Sequence, residues 1–131
     1  AGSTKVLHLH GELKKARSTV NPDLVYDIGY SDIHWGDMCE LGSQLRPHVV
    51  WFGEAVPAME EAVKLTQTAE LFAVVGSSLN VYPAAGLLSY VPRQCPIFLV
   101  DPKEVATFRD DITVIREPAS TGVPKMLRLM A

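Results

Sequence analysis

The run Leu71-Phe72-Ala73-Val74-Val75-Gly76-Ser77-Ser78, continuing through Leu79-Asn80-Val81-Tyr82 to Pro83-Ala84-Ala85, constrains the fold more than any other part of the chain. Its first five residues are all apolar. A strand with one solvated face alternates in polarity, whereas an unbroken apolar run is the habit of a strand covered on both faces, as in parallel sheets. Gly76 ends the run, two hydroxyls follow, and a helix is expected around Pro83, Ala84 and Ala85. Such a turn brings backbone N–H groups and small polar side chains to the carboxyl end of a strand, where open α/β sheets bind nucleotides. Any tight strand-to-helix turn has the same look, so on this stretch alone a purely structural turn is the better reading.

The flanking pattern fits a parallel sheet. Lys5 to His10 reads as a short strand ended by Gly11, with His8 and His10 on one face and Leu7 and Leu9 on the other. Lys14 to Ser43, punctuated by Pro22, Gly29, Gly36 and Gly42, reads as a loop-rich insertion with one short strand, Leu24 to Ile28. A strand is expected within Arg46 to Glu54, then a helix opened by Pro57 whose buried stripe is Met59, Ala62, Val63, Thr66 and Ala69. A second helix carries Ala84, Leu87, Leu88 and Val91 and stops at Pro92. Pro96 to Val100 is another strand, 102–108 hold a turn of helix, and Ile112 to Ile115 is a shorter strand. Val123 to Met130 is a last helix with Val123, Met126, Leu127 and Met130 inward. Strands alternating with helices indicate an α/β fold with a parallel, Rossmann-like sheet.

Composition narrows the function. At 131 residues, 47% of them hydrophobic, the chain has the material for one domain. A net charge of −3 without a block of either sign argues against a nucleic-acid surface. No apolar run approaches the ~20 residues of a membrane helix, and no signal peptide is visible. Two cysteines, Cys39 and Cys95, form neither a disulfide framework nor a full metal set, which suits a reducing, cytoplasmic setting. The chain starts at Ala1 with strand-like residues close behind, so it is expected to begin inside a longer protein.

Several residues carry chemistry. His8 and His10 with Glu12 can be read as zinc ligands; one histidine released by Gly11 can be a general base; or one is structural, hydrogen-bonded to backbone, and the other lies at the surface. Val49 to Glu54 joins a strand to Trp51, Phe52 and Gly53, where an extended peptide can pair, although two such bulky aromatics are more often simply core residues. Asp101 follows a strand where a Rossmann-type sheet places a carboxylate for ribose, but the GxGxxG fingerprint is absent.

In sequence, His10-Gly11-Glu12, Arg46-Pro47 with Val50-Trp51-Phe52-Gly53-Glu54, and Gly76-Ser77-Ser78 with Val81-Tyr82-Pro83-Ala84-Ala85 resemble the sirtuins, most closely bacterial ones, over nearly the whole chain. The resemblance implies NAD-dependent removal of acyl groups from protein lysines, with release of nicotinamide and transfer of the acyl group to ADP-ribose. It implies His10 as general base on the ribose hydroxyls, with His8 a structural neighbour. Val50 and Phe52 would line the tunnel for the acyl-lysine stem, and Gly53 and Glu54 would offer backbone to the substrate peptide. Gly76, Ser77 and Ser78 would hold the adenosine ribose, Asp101, Pro102 and Lys103 would contact the adenosine, and Ala119 would touch adenine. The family commonly has asparagine where Asp101 stands. Residues 1–13 and 44–131 are then the Rossmann-like part, and 14–43 sit where many sirtuins bind a structural zinc.

Two departures from the family pattern stand out. The insertion keeps only Cys39 of the usual two Cys-x-x-Cys pairs, so no structural zinc is expected. The family's amino-terminal half, with its Gly-Ala-Gly pyrophosphate loop and Gln-Asn-x-Asp motif, is not in these residues, so the isolated chain is expected to be inactive. Its exposed sheet surface invites dimerisation. A non-catalytic NAD or ADP-ribose binding module and a metal hydrolase built on His8, His10 and Glu12 remain as alternatives.

Overall fold

A computed structural model describes residues 2–131; Ala1, the first residue of the expected Rossmann-like part, lies outside them. The chain divides into two compact units, Ala1–Ala58 and Met59–Ala131.

The first unit is an antiparallel sheet in the order β2-β1-β3, from β1 (Gly11–Ser18), β2 (Val25–Asp27) and β3 (Leu45–Val49). β1 is central and has only two buried residues, Ala16 and Ser18. Ser18 Oγ accepts from the N–H groups of Val20 and Asn21, both at 3.1 Å, and so shapes the turn toward β2. The expected strand over Lys5 to His10 does not form. A turn closes there instead, with Gly11 N donating to His8 O at 3.1 Å, and pairing begins at Gly11. Residues 5–10 have the alternation of a strand but no ladder partner among the described residues, whereas the charged Gly11–Ser18 is held between two neighbours. His8 and His10 therefore do not share a strand face.

The second unit is α/β. Its sheet has the order β4-β5-β6, all parallel, from β4 (Phe72–Val75), β5 (Ile97–Val100) and β6 (Ile112–Ile115). Helix α1 (Met59–Gln67) buries Ala62 and Thr66, in keeping with the expected stripe, and packs on a 3-10 helix, Ala84–Tyr90. Leu88, Val91, Cys95 and Ile97 form one core cluster with Phe72, Leu79 and Ile112 against it. Phe98, Val100, Ile115 and Met126 form the other.

Three expectations need correction here. The strand covered on both faces is β5, buried at all four positions, not β4, which pairs only with β5 among the described residues and leaves Val75 42% exposed. Residues 102–108 form bends rather than a turn of helix. Helix α2 (Ala119–Met130) starts earlier than its apolar spacing indicates and turns Gly122 and Met126 inward, leaving Leu127 and Met130 exposed. A Cβ on Gly122 would stand 2.4 Å from Val100 Cγ1, so this glycine sets how closely α2 lies on β5.

Candidate functional site

The sequence-predicted residues fall into two groups, one in each unit: His10, Val50, Phe52, Gly53 and Glu54 in the first, and Gly76, Ser77, Ser78, Asp101, Pro102, Lys103 and Ala119 in the second.

In the first group His10 is exposed on the turn that precedes β1. Its backbone is fixed on both sides. Val50 N donates to His10 O at 2.9 Å, and Gly11, at φ +86°, pairs with Val49. A Cβ on Gly11 would lie 2.0 Å from His48 O, a backbone atom that cannot rotate away. Only glycine allows β1 and β3 to come this close, and the side chain so presented is His10.

Around this crossing a cavity of about 90 Å³ is lined by His8, Gly11, Arg17, His48 and Val50, among others. His48 Nδ1 is buried with no hydrogen-bond partner among the described residues, and burial, then Arg17 and Lys15, hold its pKa below the usual imidazole value. Glu12 is engaged by Lys15 at 2.6 Å and by His8 Nε2 at 3.4 Å. Its pKa is lowered, chiefly by the Lys15 hydrogen bond. Among the described residues no three His, Cys, Asp or Glu side chains gather as metal ligands, so His8, His10 and Glu12 do not assemble the site of a metal hydrolase.

Beyond β3 the chain makes a turn over Trp51–Glu54, with Glu54 N donating to Trp51 O at 3.0 Å and Gly53 at φ +87°. Phe52 is 94% exposed and Trp51 half exposed, so these aromatics are not core residues. The Glu54 carboxylate is the anchor of the turn. It accepts from Trp51 N at 3.0 Å, from Arg46 Nη1 at 2.5 Å and Nη2 at 3.1 Å, and from Arg17 Nη2 at 3.4 Å. These donors, with the Arg46 hydrogen bond leading, lower its pKa to about 2. Arg46 also donates to Val49 O at 3.3 Å, and its guanidinium carbon stands 3.9 Å from the centre of the Trp51 ring. Arg17 is a participant that sequence reading did not single out; its meeting with Arg46 at one glutamate, from neighbouring strands, is a long-range pattern with no local signature.

The second group collects along the carboxyl ends of the parallel strands. Val75, Val100 and Ile115 are in register, and Gly76 N donates to Val100 O at 2.9 Å while Asp101 N donates to Ile115 O at 3.2 Å. Gly76 and Asp101 therefore stand on one rim. Gly76 has φ +63° and open space where a Cβ would be, and Ser77 and Ser78 are exposed beside it. Asp101 Oδ1 accepts from Lys103 N at 2.8 Å, which sets the turn through Pro102. Ala119 opens α2 after Pro118 with no side-chain cap; Pro118 O accepts from Thr121 N and Gly122 N, which leaves the N–H groups of Ala119 and Ser120 at the start of the helix. Leu79, a second unanticipated participant, sits at φ +54° while packing on the Leu88–Val91–Cys95–Ile97 cluster. A bulky residue in that region is strained, and here the core holds it. Open backbone, two hydroxyls and a carboxylate on one rim fit the hydroxyls of a nucleotide sugar.

A parallel sheet with a hydroxyl-rich rim defines an α/β protein of the Rossmann-like class. The Sir2 family model matches residues 1–83, and the chain belongs to that family. It is 46% identical over 136 residues to an NAD-dependent protein deacylase of Bacteroides thetaiotaomicron, covering 99% of this chain and 58% of the relative. It is 48% identical over 134 residues to one of Helicobacter pylori, covering 98% and 58%. Among solved structures, a Sir2 homologue in complex with NAD matches with a TM-score of 0.81 at 33% identity, over 98% of this chain and 52% of that one. Sir2Tm bound to a propionylated peptide matches with a TM-score of 0.70 at 32% identity, over 98% and 56%. The chain thus spans a little over half the length of the relatives it matches. No helix among the described residues is long and apolar enough to cross a membrane.

Proposed function

We propose that this chain serves an NAD-dependent protein-lysine deacylase and carries its general base, its peptide-accepting segment and the adenosine end of its NAD site. The observation behind this is the His10–Gly11 turn, a histidine displayed where no Cβ is tolerated one residue on, in a chain whose relatives include named deacylases. Gly76, Ser77 and Ser78 hold the adenosine ribose through hydroxyl and backbone donors, Asp101, Pro102 and Lys103 bound the adenosine, and Ala119 touches the adenine. When bound, NAD supplies the glycosidic bond broken to release nicotinamide and the ADP-ribose that receives the acyl group. His10 takes a proton at a ring nitrogen from a sugar hydroxyl. Val50 and Phe52 line the path of the acyl-lysine stem, and the backbone of Gly53 and Glu54 pairs with the substrate peptide.

Residues 14–43 form the insertion and 1–13 with 44–131 the Rossmann-like part. The setting is cytoplasmic, with no nucleic acid or membrane as partner. For this chain taken alone, ADP-ribose binding without turnover is the proposal, since the cofactor residues lie in a unit with its own core. The exposed β4 edge supports self-association. The test is His10→Gln in the full-length protein: nicotinamide release is lost while ADP-ribose binding by calorimetry is kept. Full turnover in that variant overturns the assignment.

A further inference from the structure

The turn that carries Phe52 and Gly53 has no core of its own. Phe52 lies in solvent, Trp51 is half exposed, and no Cβ neighbour lies within 4 Å of Gly53. What gives Trp51–Glu54 a fixed shape is polar: Glu54 closes the turn onto Trp51 N, and its carboxylate is gripped by Arg46 through two nitrogens and by Arg17 through a third. Arg46 is itself held in place beside the turn. It donates to Val49 O, at the end of β3, stacks over Trp51, and belongs to a strand paired to β1 at Arg17. The Arg46 and Arg17 side chains are only 16% and 13% exposed, so water does little to loosen the grip.

We infer that Arg46, assisted by Arg17, is a positioning residue that fixes the Trp51–Glu54 turn whose backbone receives the substrate peptide, and so sets peptide affinity rather than the chemical step. This rests on the deacylase reading of the same segment. Pairing of a peptide backbone to a strand requires the strand's own N–H and C=O groups to be aligned beforehand; a loose turn must be ordered at the expense of binding. A planar guanidinium meets this need where an ammonium does not. It can hold two carboxylate oxygens, one carbonyl and an aromatic face at once, whereas a lysine at the same place is a single point charge. His10, by contrast, is fixed by the Gly11 crossing and by Val50 N, neither of which uses Arg46.

The experiment is steady-state kinetics of full-length protein with Arg46→Lys and Arg46→Met, measuring nicotinamide release against acyl-lysine peptide and against NAD separately. Peptide KM is expected to rise by about tenfold in Arg46→Met and by less in Arg46→Lys, with kcat and the KM for NAD within about twofold of wild type, the pattern of lost uniform binding. Slowed exchange of the Trp51 and Glu54 amides in wild type, lost in Arg46→Met, is the second readout and does not depend on turnover. An unchanged peptide KM in Arg46→Met, or equal losses toward both substrates, overturns the inference while leaving the deacylase reading intact if wild type turns over. Wild-type protein that binds no acyl peptide and releases no nicotinamide overturns the reading, and the inference with it.

Discussion

Gly11→Ala is the substitution whose consequences the geometry states most sharply. The added Cβ would lie 2.0 Å from His48 O, against the 3.0 Å below which real Cβ contacts essentially never fall. The obstacle is backbone at the end of the β1–β3 pair, an atom that cannot rotate away, so the two strands must part there by about 1 Å. Three costs combine. Holding a residue with a Cβ at φ +86° costs about 1–2 kcal/mol. Forced separation adds about 1–3 kcal/mol, as overpacking does. Weakening the Val50 N–His10 O bond adds about 1 kcal/mol. A loss of about 3–6 kcal/mol is expected, a large part of the roughly 5–15 kcal/mol of a folded domain. Because the same shift displaces His10, turnover should fall about 10²-fold in whatever folds. Urea unfolding of the full-length protein, with the slope m checked to be unchanged, measures the first effect and nicotinamide release the second. Gly29→Ala is the control: at φ +57° with nothing near its Cβ, it should lose only the conformational part, about 1–2 kcal/mol. If Gly11→Ala loses no more than Gly29→Ala and keeps its activity, the close crossing is not what places His10.

Other substitutions probe other links. Gly122→Ala puts a methyl 2.4 Å from Val100 Cγ1 and should destabilise the protein by about 1–3 kcal/mol, since the helix must lift from β5 or Val100 must leave its rotamer; urea unfolding checks this. Glu54 has a folded pKa of about 2 against an ordinary 4.5, so its contribution is fully present above pH 4.5 and is lost as pH falls through about 2. The decline of stability across that acid window should be shallower in Glu54→Gln, and an identical acid profile would remove Glu54 as the anchor. Ser77→Asp should weaken ADP-ribose binding about tenfold by replacing a hydroxyl donor at the ribose with a larger, acceptor-only carboxylate, read by calorimetry, with unfolding little changed because the side chain is exposed.

The parts of the fold that sequence reading placed well are those whose burial pattern is local. The α1 stripe follows helical spacing, and β6 occupies the span its apolar run indicates. The failures arise where neighbours decide. β1 reads Gly-Glu-Leu-Lys-Lys-Ala-Arg-Ser, with no β-branched residue, and is a strand because β2 and β3 flank it. Val6 to His10 alternates well and stays irregular for want of a partner. β4 has the composition of a doubly covered strand, yet coverage belongs to the strand with neighbours on both sides, β5. On α2, Val123 and Met126 face the core as their spacing indicates while Leu127 and Met130 do not, because Gly122, with no side chain to count, makes the helix's closest contact.

The candidate site divides in the same way. His10-Gly11, Gly76-Ser77-Ser78 and Asp101 are contiguous signals at turns after or before strands, and the structure sets Gly76 and Asp101 on one rim. The Glu54 anchor is different. Arg46 lies eight residues away and Arg17 thirty-seven, and only the antiparallel register of β1 with β3 brings both to one carboxylate. Nothing periodic announces such a cluster. Leu79 likewise reads as an ordinary apolar residue until its positive φ is seen.

The most direct test follows the fate of the acyl group. Full-length protein incubated with NAD and an acyl-lysine peptide is analysed by mass spectrometry for peptide, nicotinamide and ADP-ribose products. The expected result is free lysine peptide, nicotinamide and acylated ADP-ribose in equal amounts, with no nicotinamide when the acyl peptide is left out. Free carboxylic acid released from the peptide while NAD remains intact would contradict the account and point to a hydrolase that owes nothing to the Gly76–Asp101 rim.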